Sequence, residues 1–284
     1  MYSFKSKVRY SELAPDKKLS LVSIINYFQD CCTFEAEHFD VGLEWLGKHR
    51  TAWMLTSWQI HIIRRPEYCE DIEITTWACG FKYFIGKRSF LIRTLSGEVL
   101  VYALSDWAYV NVDKGLPEKN VPEKEIKAYG LDVPIDKRFE EFGINENPEE
   151  VILKGKIDTE FANAFCMDMD EKAVTGRGIR VSGEHLDTND HVNNGQYVAI
   201  ALSAFPMDSD VKIFRAEYKM QSKLGDVLYP VISTDEEINN DIESFEDGKE
   251  QVQSEMNISN NTNSRRLAVL DESGRIKMAC EFIF

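Results

Sequence analysis

The sequence predicts an α+β protein built from two copies of one unit, each a long helix set against an antiparallel sheet. Three observations lead there. Residues 19–30 are apolar on nearly all sides, and a helix of that kind belongs inside a core. The stretches that follow are rich in aromatic and β-branched residues and are divided by turn signals, as strands are. The order strand, helix, four strands then occurs a second time, which suits a chain of 284 residues as two units of ordinary size.

In chain order, residues 4–10 alternate like a first strand, and Pro15 lies in the break after it. The apolar helix starts near Leu19 and extends to about His38, and Gly42 to Arg50 reads as a second short helix or a loop. Thr51 to Ile63 is a strand closed by Arg64-Arg65-Pro66, because proline is confined to strand ends and edges. Asp71–Cys79, Gly86–Thr94 and Val99–Val112 are three more, the last two joined by the turn Ser96-Gly97-Glu98. Residues 113–148 change character. Pro117, Pro122, Pro134 and Pro148 sit among many charges there, as in a linker, with a short helix near Glu123 to Tyr129.

The second pass starts near Val151. It contains an extended piece at Val174–Val181, a polar loop feeding a helix that ends near Ala204, and strands at Lys212–Met220, Gly225–Ser233, Gln251–Ser259, Arg265–Asp271 and Arg275–Phe284. Glu236 to Glu250 is acidic and polar and reads as a mobile excursion. Arg64–Ile72 and Lys219–Val227 follow the corresponding strands of the two passes with a similar local pattern, which favours duplication. The expected units are residues 1–140, with the charged stretch from about 113 to 150, and residues 151–284.

Composition excludes several classes. A hydrophobic fraction of 43% and 16 Phe mark a globular chain. No segment has the apolar length to span a bilayer, and Met1 to Tyr10 has no apolar signal core, so a cytoplasmic protein is expected. Cys31, Cys32, Cys69, Cys79, Cys166 and Cys280 form no C-x-x-C pair and no zinc spacing. No metal, cofactor or disulfide is therefore expected, and most of these thiols read as small buried hydrophobes. The formal net charge of −15 argues against nucleic-acid binding.

The stretch His185 to Tyr197 carries the chemistry. It gathers acid, amide and imidazole groups in one turn, and the apolar run Tyr197–Leu202 follows at once. Asn189 or Asp190 can cap such a helix. The unpaired N–H groups and positive dipole end of its first turn can hold a developing oxyanion beside titratable side chains. Clusters of Asp, Asn and Gly are also ordinary turns. The order of residues, Asp187-x-Asn189-x-His191-Val192-Asn193-Asn194-x-x-Tyr197, resembles the signature of the fatty acyl-ACP (acyl carrier protein) thioesterases, a branch of the hot-dog superfamily. The first half resembles the same family at Leu19-Ser20, Asn26 to Asp30, Trp53-Met54-Leu55, Arg65-Pro66, Thr76-Trp77 and Ser105-Asp106-Trp107.

That resemblance implies two tandem hot-dog domains, each a long helix wrapped by an antiparallel sheet. It implies hydrolysis of fatty acyl-ACP to free fatty acid and holo-ACP in fatty acid biosynthesis, with Asp187, Asn189 and His191 catalytic. The first copy has only Asp16-Lys17-Lys18-Leu19-Ser20 at the matching place, so one active site per chain is expected. The first domain then mainly shapes the acyl pocket, with one or two of Trp45, Trp53, Trp58, Trp77 and Trp107 lining it. The family commonly has a Glu, followed in plants by a Cys, on the strand after the motif helix. The register from Glu217-Tyr218-Lys219 puts Gln221 and Ser222 there. Gln221 can position a water but cannot take its proton, which leaves Asp187 as nucleophile or general base.

Acyl carrier proteins are acidic, so docking on this acidic body needs a local basic patch. Arg64, Arg65, Lys82, Lys87, Arg88, Lys212, Arg215, Lys219 and Lys223 are the candidates. Plant members carry a plastid transit peptide, which the start of this sequence does not resemble, so a bacterial-type member is expected. An acyl-CoA thioesterase and a non-catalytic acyl-binding protein are the competing readings. A monomer and a homodimer are both compatible with tandem copies.

Overall fold

Helix α1 (Leu21–His38) starts where the sequence supplies a cap: the Ser20 hydroxyl accepts the backbone N–H of Ser23 at 3.1 Å. Its residues Leu21, Ile24, Ile25, Phe28 and Cys31 are buried, and the Phe28 ring lies 5.0 Å from that of Phe90 and 5.7 Å from that of Trp58. These positions come from a computed structural model that describes residues 1–130, 139–144, 153, 155–164, 173–204, 211–233 and 264–284.

Strand β1 (Tyr2–Lys7) precedes α1. Helix α2 (Leu43–His49) follows it and ends on Arg50 in the left-handed region at φ 55°. Then come β2 (Thr51–Ile62), β3 (Asp71–Lys82), β4 (Ile85–Thr94), β5 (Val99–Asn111), the short β6 (Leu116–Pro117) and α3 (Glu123–Tyr129). The second pass has β7 (Ala173–Thr175), β8 (Ile179–Arg180), helix α4 (Asn194–Ala204), β9 (Ile213–Tyr218), β10 (Val227–Ser233), β11 (Ser264–Asp271) and β12 (Ile276–Ile283).

The described strands form one antiparallel sheet of twelve, joined in its middle by β2 and β9. Outward from that seam the order is β5, β4, β3, β1 on one side and β12, β11, β10, β7 on the other, with β8 also on β10 and β6 on β5. The two sides therefore repeat one strand order. The seam pairs Ser57 with Glu217 through His61 with Ile213, and the Ile62 N–H continues it by bonding the Lys212 carbonyl at 2.7 Å. One contiguous buried cluster runs from Val8 and α1 through Val198 and Ala201 of α4 to Phe282 of β12, so the two sides share a core. The helices meet where Gly195 of α4 faces Asn26 of α1. A Cβ at position 195 would lie 2.8 Å from Asn26 Oδ1, so glycine permits the approach.

Differences from the sequence expectation have local causes. Val174–Val181 is two short strands interrupted at Gly176. The Gly176 N–H bonds the Pro230 carbonyl at 2.8 Å, and a Cβ there would meet the Pro230 ring at 2.7 Å. Strand β3 runs past Cys79 to Lys82 through a bulge between Ala78 and Gly80. The charged stretch after residue 113 packs onto the first half over its described residues. Glu118 N–H and Val121 N–H bond the Tyr109 and Tyr83 carbonyls, and Phe139 and Ile144 join Trp77, Leu91 and Tyr102 in a buried cluster. The expected strand Gln251–Ser259 and the acidic excursion Glu236–Glu250 lie outside the described residues.

Phe28 is the test of the core. Phe28→Ala removes a fully buried ring from between Trp58 and Phe90, and equilibrium unfolding in urea is expected to show a loss of about 3–5 kcal/mol.

Candidate active site

The stretch Asp187 to Asn193 folds as a tight hairpin. Leu186 and Val192 bridge, the Asp187 N–H bonds the His191 carbonyl at 2.8 Å, and Asp190 turns the chain at φ 59°. Asp and Asn tolerate this left-handed region better than most residues. Asp187 Oδ1 accepts the backbone N–H groups of Asn189 at 2.8 Å and of His191 at 3.3 Å. One carboxylate oxygen thus holds the turn while the other stays uncommitted. His191 stands across the hairpin from Asp187. Burial pulls its pKa below the usual imidazole value, the Asp187 charge partly offsets that, and Lys223 adds to the lowering. Its ring makes no hydrogen bond to the described residues.

The cap of α4 is Asn193, not Asn189 or Asp190. Asn193 Oδ1 accepts the Gly195 N–H at 2.8 Å, and its carbonyl accepts those of Gln196 and Tyr197 at 2.9 and 3.2 Å. The expectation failed because the hairpin uses Asp190 for the turn, which puts the helix start three residues later. The second helix of the core braces this end: Gln29 accepts from Asn194 Nδ2 at 2.8 Å and donates to Asn193 Oδ1 at 3.4 Å. Tyr218 of β9 donates its hydroxyl to the Asn194 carbonyl at 3.0 Å. Among the described residues, the Asn194 N–H has no partner.

A cavity of about 810 Å³ begins at Asp187, Thr188, Asn189, Asn193 and Asn194. It continues into the first half along one stripe of α1 (Asn26, Gln29, Asp30, Thr33, Ala36), under Leu43 and Leu46 of α2 and over the sheet residues Trp53, Ala78 and Trp107. Two of the five tryptophans, Trp53 and Trp107, line it, while Trp58 and Trp77 are buried in the core. Cys32 lies on its wall with its thiol pushed up to about 11 by burial, which keeps it protonated and poorly nucleophilic at neutral pH. Burial likewise raises Cys31 and Cys280, whereas Cys69 is exposed at a left-handed turn and Cys166 lies outside the described residues.

Asp187 and Asn189 line the cavity and His191 adjoins Asp187, so the hairpin brings three of the four expected site residues together. Gln221 stands apart. It is exposed, and its Nε2 lies 2.7 Å from Met54 Sδ. Alternation along β2 turns Met54 away from the side that Trp53 presents to the cavity. Its neighbours touch the motif, the Ser222 carbonyl accepting the Val192 N–H at 3.0 Å and the Met220 carbonyl accepting the Tyr197 hydroxyl at 3.3 Å. Gln29 and Tyr218 were not expected at the site. The available signal was the polar stripe Asn26, Gln29, Asp30, Thr33 at helical spacing on a helix otherwise fit for a core.

The first half repeats this hairpin bond for bond. Ala14 N–H bonds Lys18 O at 2.8 Å, Lys17 turns at φ 66°, and Leu19 N–H bonds Pro66 O at 2.8 Å. Ala14, Asp16 and Lys18 occupy the places of Asp187, Asn189 and His191. Arg65 takes the place of Gln221, is buried, and pairs with Asp16.

The basic residues considered for carrier docking are mostly committed. Arg64 pairs with Glu70 and Glu98, Arg88 with Glu35, Lys87 with Asp106, Arg215 with Glu281 and Lys219 with Glu217. Lys82, Lys212 and Lys223 have no ion-pair partner among the described residues.

Residues 1–129 match the family model described as the acyl-ACP thioesterase N-terminal domain. The chain is 24% identical over 243 residues to a chloroplastic acyl-(acyl-carrier-protein) hydrolase of Cuphea viscosissima, covering 80% of this chain and 53% of that protein. It is 24% identical over 244 residues to the chloroplastic oleoyl-acyl carrier protein thioesterase 2 of Arabidopsis thaliana, covering 80% and 62%. The chain thus spans about half the length of the first curated relatives it matches. Among solved structures it is similar to an acyl-ACP thioesterase from Bacteroides thetaiotaomicron, with TM-score 0.72 and 18% identity over 99% of this chain and 96% of that one. It is also similar to the 12:0-ACP thioesterase of Umbellularia californica, with TM-score 0.67 and 18% identity over 99% and 96%. The fold is the hot-dog-like thioesterase fold, and the resemblance read from the motif is borne out.

The electrostatics of the hairpin are open to a direct check. In a proton NMR titration, His191 is expected to titrate below the usual imidazole value. Asp187→Asn removes the negative charge that favours the imidazolium, so its midpoint is expected to fall further. A rise in the variant would contradict the assigned pairing.

Proposed function

We propose that this chain hydrolyses fatty acyl-ACP to free fatty acid and holo-ACP, and that it does so as two tandem hot-dog units, residues 1–140 and 151–284, with one active site. The observation that carries the reading is the junction of the cavity with the hairpin: a hollow in the first half, lined by apolar and polar side chains together, ends at a carboxylate and a helix N-terminus of the second. The relatives named as acyl-ACP hydrolases support it. The second unit alone holds the reactive set, because Ala14 replaces the carboxylate in the first.

In this mechanism the thioester carbonyl sits at the start of α4. The Asn194 N–H, the free donor of that turn, receives the developing oxyanion at the positive end of the helix. Asp187, through its uncommitted oxygen, takes a proton from a water whose oxygen bonds the carbonyl carbon. The C–S bond then breaks, and the thiolate leaves and is protonated by solvent. Asn189 positions the water. His191, its pKa lowered by burial, donates a hydrogen bond to the thioester and need not deliver a proton, since a thiolate leaves readily. Gln221 lies outside the cavity and only supports the loop. The same geometry admits an acyl-CoA thioester, and the carrier decides between the two. A cytoplasmic setting is part of the proposal. Among the described residues no helix is long and apolar enough to cross a membrane.

Matched acyl-ACP and acyl-CoA substrates test this. Wild-type turnover should favour acyl-ACP, and Asp187→Asn should lower kcat by about 10²–10⁴, the usual worth of a positioned base. Equal turnover on both carriers would favour the acyl-CoA reading, and no turnover on either would favour a binding protein.

Gln221→Ala separates the loop support from the chemistry. It is expected to keep kcat within about threefold of wild type, since its side chain makes no contact with the cavity. A loss as large as that of Asp187→Asn would put Gln221 back in the reacting set.

A further inference from the structure

We propose that the buried ion pair between Glu35 and Arg88, beneath Tyr129, is the floor of the cavity and sets the longest acyl chain the site accepts. The proposal rests on the thioesterase reading for what delivers the chain, not for how the chain is measured.

Helix α1 carries both ends of the cavity. Gln29 grips Asn193 and Asn194 at the mouth. Glu35 is six residues further on, about 9 Å along the axis. Its side chain is wholly buried, and Arg88 reaches it from β4 with the guanidinium also bonded to Thr76 Oγ1 at 3.1 Å. Tyr129 of α3 lays its ring 4.8 Å from that guanidinium, and Arg88, Tyr129, Ala36 and Ala78 line this end of the cavity. Leu43, Leu46, Trp53 and Trp107 also line the hollow, and methylenes gain burial on them.

The far end behaves differently because its charges cannot be moved or desolvated cheaply. Glu35 also lies 3.4 Å from the part-exposed Met1 amino group, and pushing Arg88 aside would leave the wholly buried carboxylate with that cation alone. A terminal methyl that arrives at the guanidinium meets a polar surface that gives it no burial gain. Methylenes beyond that point stay out of the hollow. Hydrocarbon is therefore rewarded up to the pair and not past it, and the distance from the mouth places the limit short of a hexadecanoyl chain.

The test is calorimetric binding of free saturated fatty acids, from octanoate to stearate below their micelle concentrations, to the full chain. In the wild type, affinity is expected to rise roughly fourfold per methylene and then to break before palmitate. The double variant Glu35→Gln/Arg88→Met removes both charges at similar volume, and the break is expected to move at least two methylenes longer. Tyr129→Ala opens the same end and leaves both charges in place, though it removes the ring's contact with the guanidinium, and it is expected to lengthen the limit too, which keeps the test sound if the double variant does not fold. A break at the same length in the folded variants, or no break in the wild type, overturns the floor. Asp187→Asn should lose turnover with its break unmoved. Binding with the expected break in a protein that hydrolyses no thioester would sink the thioesterase reading and leave the floor standing.

Discussion

The pairing of β2 with β9 is the constraint on which the rest of the molecule depends. A sheet edge presents unpaired backbone groups that have to be satisfied. Here the two halves satisfy each other, from Ser57 opposite Glu217 to His61 opposite Ile213. That pairing sets α1 and α4 side by side over one continuous sheet, and the shared buried cluster follows from it. It also decides where a site can form. The hollow belongs to α1, α2 and the first strands, the reactive hairpin belongs to the second half, and only the seam brings Gln29 to Asn193 and Asn194.

Much of this was legible in the residues. The apolar run from Leu21 to Cys31 declared a core helix, and the alternating strands on either side of Ser96-Gly97-Glu98 lie where the pattern put them. What stayed hidden was long-range. Nothing local distinguishes Gln29 from any other polar residue on a helix, because its role comes from a partner 164 residues away. The cap was misplaced for a related reason. Asn189, Asp190 and Asn193 are all good caps by chemistry, and the cross-hairpin bond from Asp187 N–H to the His191 carbonyl selects among them. Gln221 was aligned to the site by register. Register puts a residue on a loop but does not say which side of a neighbouring strand it faces, and Met54 holds it on the wrong one.

The two hairpins show how one backbone serves two ends. Their hydrogen bonds coincide, and so does the left-handed residue, Lys17 in one and Asp190 in the other. The side chains have diverged. In the first copy Arg65 is buried and neutralised by Asp16, which turns the loop into a structural clasp. In the second, the same places hold Gln221, exposed, and Asn189, exposed at the mouth of the cavity. Arg65 is buried while Asp16 stays exposed, so the first loop ties its polar groups to each other where the second keeps them open to solvent.

This division also explains how Asp187 can serve without a second carboxylate. Its Oδ1 accepts two backbone N–H groups, which orient the side chain with no other residue's help. Burial lowers the pKa of His191, which favours the neutral ring beside the carboxylate. The helix end adds the Asn194 N–H in a place fixed by Gln29 and Tyr218. In the proposed mechanism, orientation, donor and oxyanion site therefore all come from the hairpin and its cap. The first half is left free to vary the shape of the hollow, down to the charges at its far end, without disturbing the chemistry at its mouth.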